Sequence, residues 1–191
     1  MFERFFQNTG KPHGLGGRFF AAVMNIGHSR ASRWGPRHLD IKSGDSILDI
    51  GRGGGINRAR MLKRAYEGRV RGLDYSDAGV EMTASLNRKA IAAGRSGVRL
   101  GGAPVIPRPG FANGLREVRR VRKPGGLFFI CNEMNKPERG ETPGQYWIKT
   151  LGLAMYGPVE LRKYLTEAGF AGIHGAAEGA GRMCVSARAE K

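Results

Sequence analysis

Four residues near position 50 have the types and the spacing of a cofactor-binding turn. They lie in the stretch SILDIGRGGG and are Asp49, Gly51, Gly53 and Gly55. Glycines let the chain turn sharply and let backbone N–H groups approach a bound group closely. A dinucleotide fingerprint would place glycine at position 56, where this chain has Ile56. The spacing therefore predicts a binding turn that differs from the dinucleotide type.

A second acid, Asp74, ends the apolar run in RVRGLDYS, 23 residues after Gly51. A carboxylate at this position can accept hydrogen bonds from two ribose hydroxyls. Two plainer interpretations stay open. Asp49 can be a cap on its own turn, and Asp74 can be a strand-end acid paired with one of the many arginines.

Strands and helices alternate in the segments that must position these residues. Apolar runs predict strands at SILDIG, 69–75, GVRLGG and 126–134, and a closing hairpin that turns near Gly179 and Gly181. The alternation indicates an α/β fold: a Rossmann-like three-layer sandwich with a mostly parallel sheet and an antiparallel C-terminal hairpin. Ligands in such a fold bind at the carboxyl ends of the strands.

A helix is predicted directly after the glycine turn, where Ile56, Ala59 and Leu62 fall at helical spacing, and three further helices are predicted along the chain. The first of these three begins with Asp77 as its cap and runs to about residue 93, where Gly94 ends it. The second covers 112–122 and is closed by KPGG, and the third begins at Pro158. The length of 191 residues suits one α/β domain, assigned to 41–191, after an N-terminal helical approach segment over 1–40.

Five segments, in order, resemble the class I S-adenosylmethionine-dependent methyltransferases. They are ILDIGRGGG, GLDYS, LREVRRVRKPGGLFFI, MYGPVELRKYLTEAGF and MCVSARAE. The resemblance is strongest to the branch that includes the ubiquinone/menaquinone-biosynthesis methyltransferases (methyltransferase type 11-like). It covers most of residues 40–190 and implies that S-adenosyl-L-methionine is the cofactor.

The resemblance also implies roles for single residues. The glycines of the turn would lie along the methionine moiety and ribose, Asp49 would support the turn or meet the amino group through water, and Asp74 would hold the ribose hydroxyls. Tyr75 and Ser76 would flank the adenosine. The full set of implied cofactor-binding residues is Asp49, Gly51, Arg52, Gly53, Gly54, Gly55, Asp74, Tyr75 and Ser76.

Two residues depart from the family pattern. Arg52 stands in the turn where a small residue is usual; its guanidinium could bind the cofactor carboxylate but would repel the sulfonium. Gly102 stands where the family commonly has an acid for the adenine amino group. The adenine contact is therefore expected to be absent.

The largest departure is a gap at the family's fourth strand. Only a connection rich in proline and glycine lies between GVRLGG and FANGLREV. We therefore expect a sheet one strand short, with the first strand paired directly to 126–134 and the adenine side open. In the next helix Arg122 shares a face with Leu115 and Val118, where a buried guanidinium is costly unless it snorkels.

Few groups are candidates for the substrate side. Glu133, at the end of FFICNEM, is the candidate catalytic base, and a salt-bridged acid at the rim is the alternative. No metal site is expected, because the four histidines lack metal-binding spacing. The stretch QYWIKTLGLAMY is either an apolar lid over a substrate or ordinary core packing.

Composition limits the partners and the compartment. The formal net charge is +16, yet no basic run is interleaved with aromatic residues, so nucleic-acid binding would be nonspecific and salt-sensitive. Cys131 and Cys184 are expected to be buried free thiols. The N-terminus lacks the pattern of a signal peptide and no run is long enough to span a bilayer, which predicts a cytoplasmic protein. Nothing in the sequence fixes the oligomeric state.

The first functional hypothesis is a methyltransferase that transfers the sulfonium methyl group to a small organic molecule by in-line displacement. The second is a noncatalytic relative that keeps the fold and weak cofactor binding, favoured by Arg52, Gly102 and the missing strand. The third is a basic α/β module that binds RNA or an anionic surface, and it depends on charge alone.

Overall fold

The computed structural model describes residues 33–51, 55–101, 108–132, 155–178 and 182–189. The chain divides into two compact units, Met1–Gly102 and Ala103–Lys191. The expected boundary after residue 40 stays a prediction, because residues 1–32 lie outside the described part.

The first unit alternates strands and helices along the chain. After a 3-10 helix at Gly35–His38 come β1 (Ser46–Ile50), α1 (Ile56–Arg64), β2 (Arg69–Asp74), α2 (Asp77–Leu86), α3 (Arg88–Ala92) and β3 (Ser96–Leu100). The three strands form a parallel sheet in the order β1-β2-β3. The predicted parallel α/β arrangement is confirmed for this unit.

A small apolar core joins α1 to this sheet. Met61 and Leu62 of α1 are buried against Val70 of β2, with Ile47 of β1 packed beside them. Ile47 and Val70 are register partners and therefore share one face of the sheet. Burial of these side chains fixes the end of α1 over the strands, and with it the direction in which the helix leaves the glycine turn.

The predicted helix over 77–93 differs from the structure in its cap and its continuity. Ser76 is the N-cap, with its hydroxyl accepting a hydrogen bond from the N–H of Gly79, so the expected cap Asp77 is instead the first helical residue. The helix is interrupted at Asn87 and resumes as α3. Gly94, with φ of +67°, follows α3 as expected for a terminating glycine.

The second unit contains α4 (Arg108–Val121), β4 (Leu127–Asn132), α5 (Pro158–Glu167), β5 (Phe170–Glu178) and β6 (Arg182–Ala189). Its strands form an antiparallel sheet in the order β4-β6-β5. The β5–β6 pair is the predicted closing hairpin, although its turn at Gly179 and Gly181 lies outside the described residues. No helix in the described parts of either unit is long and apolar enough to cross a membrane.

α4 begins four residues earlier than the sequence predicted. Its first turn contains Pro109, which is tolerated there because the N–H it lacks would have no partner within the helix. Residues 101–107 alone therefore connect β3 to α4. Of this connection only Gly101 belongs to the described residues.

The expected pairing of β1 with the strand over 126–134 is not confirmed. The described ladders join β1 to β2 and β4 to β6, in two separate sheets. The segment that could carry a substitute strand, 102–107, lies outside the described residues. Glu133 and Met134 do as well.

Arg122 is only partly buried and follows the last residue of α4. Its guanidinium donates to the carbonyl of Gly126 and lies over the ring of Phe170, with Cζ 5.6 Å from the ring centroid. Desolvation, with the charges of Arg119 and Arg188, lowers the pKa of Arg122. The side chain therefore snorkels along an apolar surface and reaches a backbone acceptor.

The two cysteines are free, but only one is buried. Cys184 is 3% exposed, whereas Cys131 is exposed, contrary to the prediction. They are register partners on β4 and β6. The predicted burial of Cys131 is wrong, because the position of this residue next to the end of β4 leaves its side chain exposed.

Tyr156, at the end of the predicted lid, belongs to an aromatic cluster. It is 5% exposed and stacks on Phe111 with ring centroids 4.4 Å apart, and Tyr164 meets both rings edge-on. Core packing therefore accounts for this tyrosine. Tyr146 and Trp147 of the same stretch lie outside the described residues.

Candidate cofactor site

The described part of the glycine turn has two residues in the left-handed region. Gly51 follows β1 with φ of +68°, and a Cβ built on it would meet no atom of the described residues within 4 Å. Gly55 has φ of +82° and is the N-cap of α1. Only glycine adopts such angles without strain, which explains the glycine at each end of the turn. Arg52, Gly53 and Gly54 lie outside the described residues.

Parallel register brings Gly51 close to Asp74. Ile50 is opposite Leu73, and the N–H of Gly51 donates to the carbonyl of Leu73 over 3.1 Å. The next residue along β2 is Asp74. The structure thus places the open glycine and the second acid together at the carboxyl edge of the sheet, where α/β folds bind ligands.

Asp74 is 4% exposed and is held against the start of α2. Its Oδ1 accepts a hydrogen bond from the N–H of Ser76 over 2.9 Å. A Cβ on Gly79 would lie 3.1 Å from the same oxygen, so glycine leaves room for the carboxylate. The carboxylate therefore lies beside the N-terminus of α2.

The two residues after Asp74 differ in whether their side chains are accessible to a ligand. Ser76 is buried and its hydroxyl caps α2, which gives the side chain a local structural role. Tyr75 is 45% exposed beside the acid. Burial, followed by the negative charge of Asp74, raises the pKa of the Tyr75 phenol. The phenol is therefore neutral near pH 7 and can contact a ligand as a neutral aromatic ring.

Asp49 lies on β1 opposite Gly72 and is partly buried. This register places it on the same face of the sheet as Val70 and Asp74, the face against which α1 packs. The position suits support of the turn more than direct contact with a bound group. Glu133, the candidate base, lies outside the described residues.

Three buried polar residues behind the turn were missed by the sequence analysis. Arg58, in the first half of α1, is fully buried and donates to the carbonyl of Gly97 on β3 over 2.9 Å. Thr83 and Asn87 of the α2–α3 segment lie against Gly55. The sequence offers a signal for Thr83 and Asn87 only: these two polar residues are four positions apart on the apolar side of a helix.

The raised pKa of Tyr75 gives a pH prediction. The difference in ultraviolet absorbance between the wild type and Tyr75→Phe should titrate above the ordinary tyrosine pKa of about 10. Because the folded state holds this proton more tightly, charging the phenol above pH 10 should lower stability in the wild type only. Asp74→Asn should reduce the shift without abolishing it, since burial is the larger cause. A Tyr75 pKa at or below 10 would contradict this environment.

Among the described residues, no three His, Cys, Asp or Glu side chains are grouped so that they could hold a metal ion. Gly51 and Asp74 both lie at the carboxyl edge of the parallel sheet, where α/β folds bind ligands.

Comparison with known proteins finds a methyltransferase relative by sequence. The chain is 24% identical over 163 residues to the uncharacterized methyltransferase YdaC of Bacillus subtilis (strain 168). The aligned region covers 73% of this chain and 87% of YdaC. No protein-family model matches the chain.

Solved structures decide the fold. The mitomycin 7-O-methyltransferase MmcR is 17% identical with a TM-score of 0.76, covering 97% of this chain and 60% of MmcR. The chain has the methyltransferase fold. The O-methyltransferase NcsB1, solved with S-adenosyl-L-homocysteine and 1,4-dihydroxy-2-naphthoic acid, is 16% identical with a TM-score of 0.70.

The methyltransferase fold confirms the predicted fold class. NcsB1 is matched over 91% of this chain and 59% of its own, so the chain spans about three fifths of these two structures. The predicted ubiquinone/menaquinone-biosynthesis branch is not confirmed, because these solved relatives are O-methyltransferases.

Proposed function

We propose that the protein binds S-adenosyl-L-methionine and transfers its methyl group to a small organic molecule. The observation that carries the proposal is the open, positive-φ Gly51 next to the buried carboxylate of Asp74 at the carboxyl edge of β1 and β2. The resemblance to the methyltransferases implies that both groups contact the cofactor, which supports the proposal.

The described residues fit such a cofactor. Asp74 has one oxygen fixed by Ser76, which orients the carboxylate so that it can accept hydrogen bonds from ribose hydroxyls. Gly51 lets a ligand approach the backbone, since no atom of the described residues occupies the space where a side chain would stand. Tyr75 supplies a half-exposed ring for the adenosine. The bound cofactor would supply an electrophilic methyl group on a sulfonium.

The residues of the chain contribute alignment and exclusion of water to this chemistry. In-line displacement depends on holding the acceptor at the correct distance and angle, which can account for most of the rate enhancement without a metal. We assign the role of general base for an acceptor hydroxyl to Glu133, because this acid follows the apolar run of FFICNEM in the sequence. Two solved relatives named as O-methyltransferases support an oxygen acceptor.

A second candidate function is cofactor binding without turnover. It is favoured by the short connection 101–107, because the strand that normally follows β3 lines the cofactor pocket in the resembled family. In this case the ribose side of the site would remain and the adenine side would be open.

Two measurements separate these functions. Calorimetric titration with S-adenosyl-L-methionine and with S-adenosyl-L-homocysteine measures binding, and transfer of a labelled methyl group to a panel of phenols and hydroxylated aromatic acids measures turnover. Saturable binding with transfer to at least one acceptor supports the methyltransferase. Binding without transfer to any acceptor favours the second function, and absence of binding contradicts both.

A further inference from the structure

We propose that Asn87 is a positioning residue for the cofactor turn: its side-chain amide holds the carbonyl of Gly55 and so fixes the end of the glycine turn. The proposal deepens the proposed function and rests on it. Asn87 lies well apart in sequence from the glycine motif, between α2 and α3.

The contacts of the Asn87 amide are specific. Asn87 is 5% exposed, and its Nδ2 donates to the carbonyl of Gly55 over 3.3 Å and to that of Thr83 over 3.0 Å. Both partners are acceptors, so only the NH2 end of the amide satisfies them. A carboxylate of the same shape would place a negative oxygen against two carbonyls.

The backbone of Asn87 is fixed as firmly as its side chain. Its N–H donates to Thr83 over 3.0 Å, and its carbonyl accepts from Ile91 over 3.0 Å. Asn87 thus ends α2 and begins α3, which anchors the amide on two helices at once. The helix interruption places the residue where its side chain can reach the turn.

Thr83 completes the arrangement from the same helix. It is fully buried, and a Cβ on Gly55 would lie 2.5 Å from its Oγ1. The backbone at Gly55 is therefore enclosed by Thr83 while its carbonyl is held by Asn87. The same carbonyl accepts the N–H of Ala59, the first backbone hydrogen bond of α1.

The consequence concerns pre-organisation of the site. A glycine at positive φ has many alternative conformations, and a binding turn that must select one of them loses affinity. Asn87 restricts Gly55 before a ligand arrives. Loss of this amide should therefore weaken cofactor binding by more than the accompanying loss of stability can explain.

The test compares Asn87→Asp, Asn87→Ala and the control Leu62→Ala. The control truncates a core residue farther along α1 and lowers stability without touching the turn. Binding of S-adenosyl-L-homocysteine by calorimetry and thermal unfolding are measured at pH 8 and at pH 5.5.

We expect Asn87→Asp to bind at least tenfold more weakly than the wild type at pH 8. Its deficit should shrink at pH 5.5, because a protonated carboxyl can donate to the Gly55 carbonyl. Asn87→Ala should be weakened at both pH values.

A cofactor-independent readout keeps the proposal separate from the proposed function. Hydrogen exchange of the Ala59 amide in the ligand-free protein should accelerate in both Asn87 variants beyond the change in Leu62→Ala. If the wild type fails to bind, the proposed function fails and exchange alone decides the positioning role. The proposal would be overturned if the Asn87 variants lost no more affinity, and gained no more exchange, than Leu62→Ala does for a similar loss of stability. A binding deficit of Asn87→Asp that is the same at both pH values would also overturn it.

Discussion

Asp74→Ala should weaken binding of S-adenosyl-L-methionine by ten- to more than a hundredfold. The ribose hydroxyls would lose a charge-assisted acceptor, which contributes about 1.5–3 kcal/mol. The carboxylate is 4% exposed and is already oriented by its hydrogen bond from the N–H of Ser76. Calorimetric titration of the purified variant measures the effect.

Two control variants make this expectation specific. Asp74→Asn keeps an oxygen that can accept from Ser76 but replaces the other carboxylate oxygen with an NH2 donor, which can still pair with a ribose hydroxyl oxygen, so it should lose less affinity than Asp74→Ala. Asp49→Asn should lose less still, because Asp49 lies back along β1 opposite Gly72. Equal affinities for the wild type and Asp74→Ala would show that this acid does not hold the ribose.

Gly55→Ala should be among the most damaging single substitutions in the first unit. A left-handed conformation costs an L-residue about 1–2 kcal/mol. The added Cβ would also lie 2.5 Å from Thr83 Oγ1, and overpacking of this kind typically costs about 1–3 kcal/mol more. We expect a loss of about 2–5 kcal/mol in the free energy of unfolding, measured by urea denaturation, together with loss of cofactor binding.

Gly94→Ala is the matched control for the steric part. Gly94 has φ of +67°, but a Cβ there meets no atom within 4 Å. This substitution should cost only the conformational part, about 1–2 kcal/mol, and should leave cofactor affinity unchanged. If both alanine variants lost the same stability, the close approach of Thr83 to the turn would be refuted.

The sequence predicted most of the fold because its patterns are local. Glycine spacing after a short apolar run correctly located β1 and the start of α1, and the two positive-φ glycines at 51 and 55 are those that the motif requires. Pro158 correctly opened α5, and the predicted C-terminal hairpin is present. Each of these features is set by residues adjacent in sequence.

Features that depend on distant contacts could not be predicted in the same way. In the sequence Asn87 is an ordinary polar residue within a predicted helix. Its contact with Gly55 exists only because the fold brings together two residues 32 positions apart. The exposure of Cys131 depends on what covers β4, which its apolar neighbours do not reveal. The sequence predicts the start of α4 at 112, whereas the helix begins at Arg108, because a first helical turn tolerates Pro109.

The strand order β4-β6-β5 has a kinetic consequence. β5 and β6 follow each other in the chain and can pair as soon as a short turn closes, whereas Leu127 of β4 must find Arg188, at the far end of β6. Closing that long loop costs entropy before any ladder hydrogen bond compensates. β4 should therefore join last during refolding, and truncating β4 side chains should accelerate unfolding while leaving the refolding rate almost unchanged.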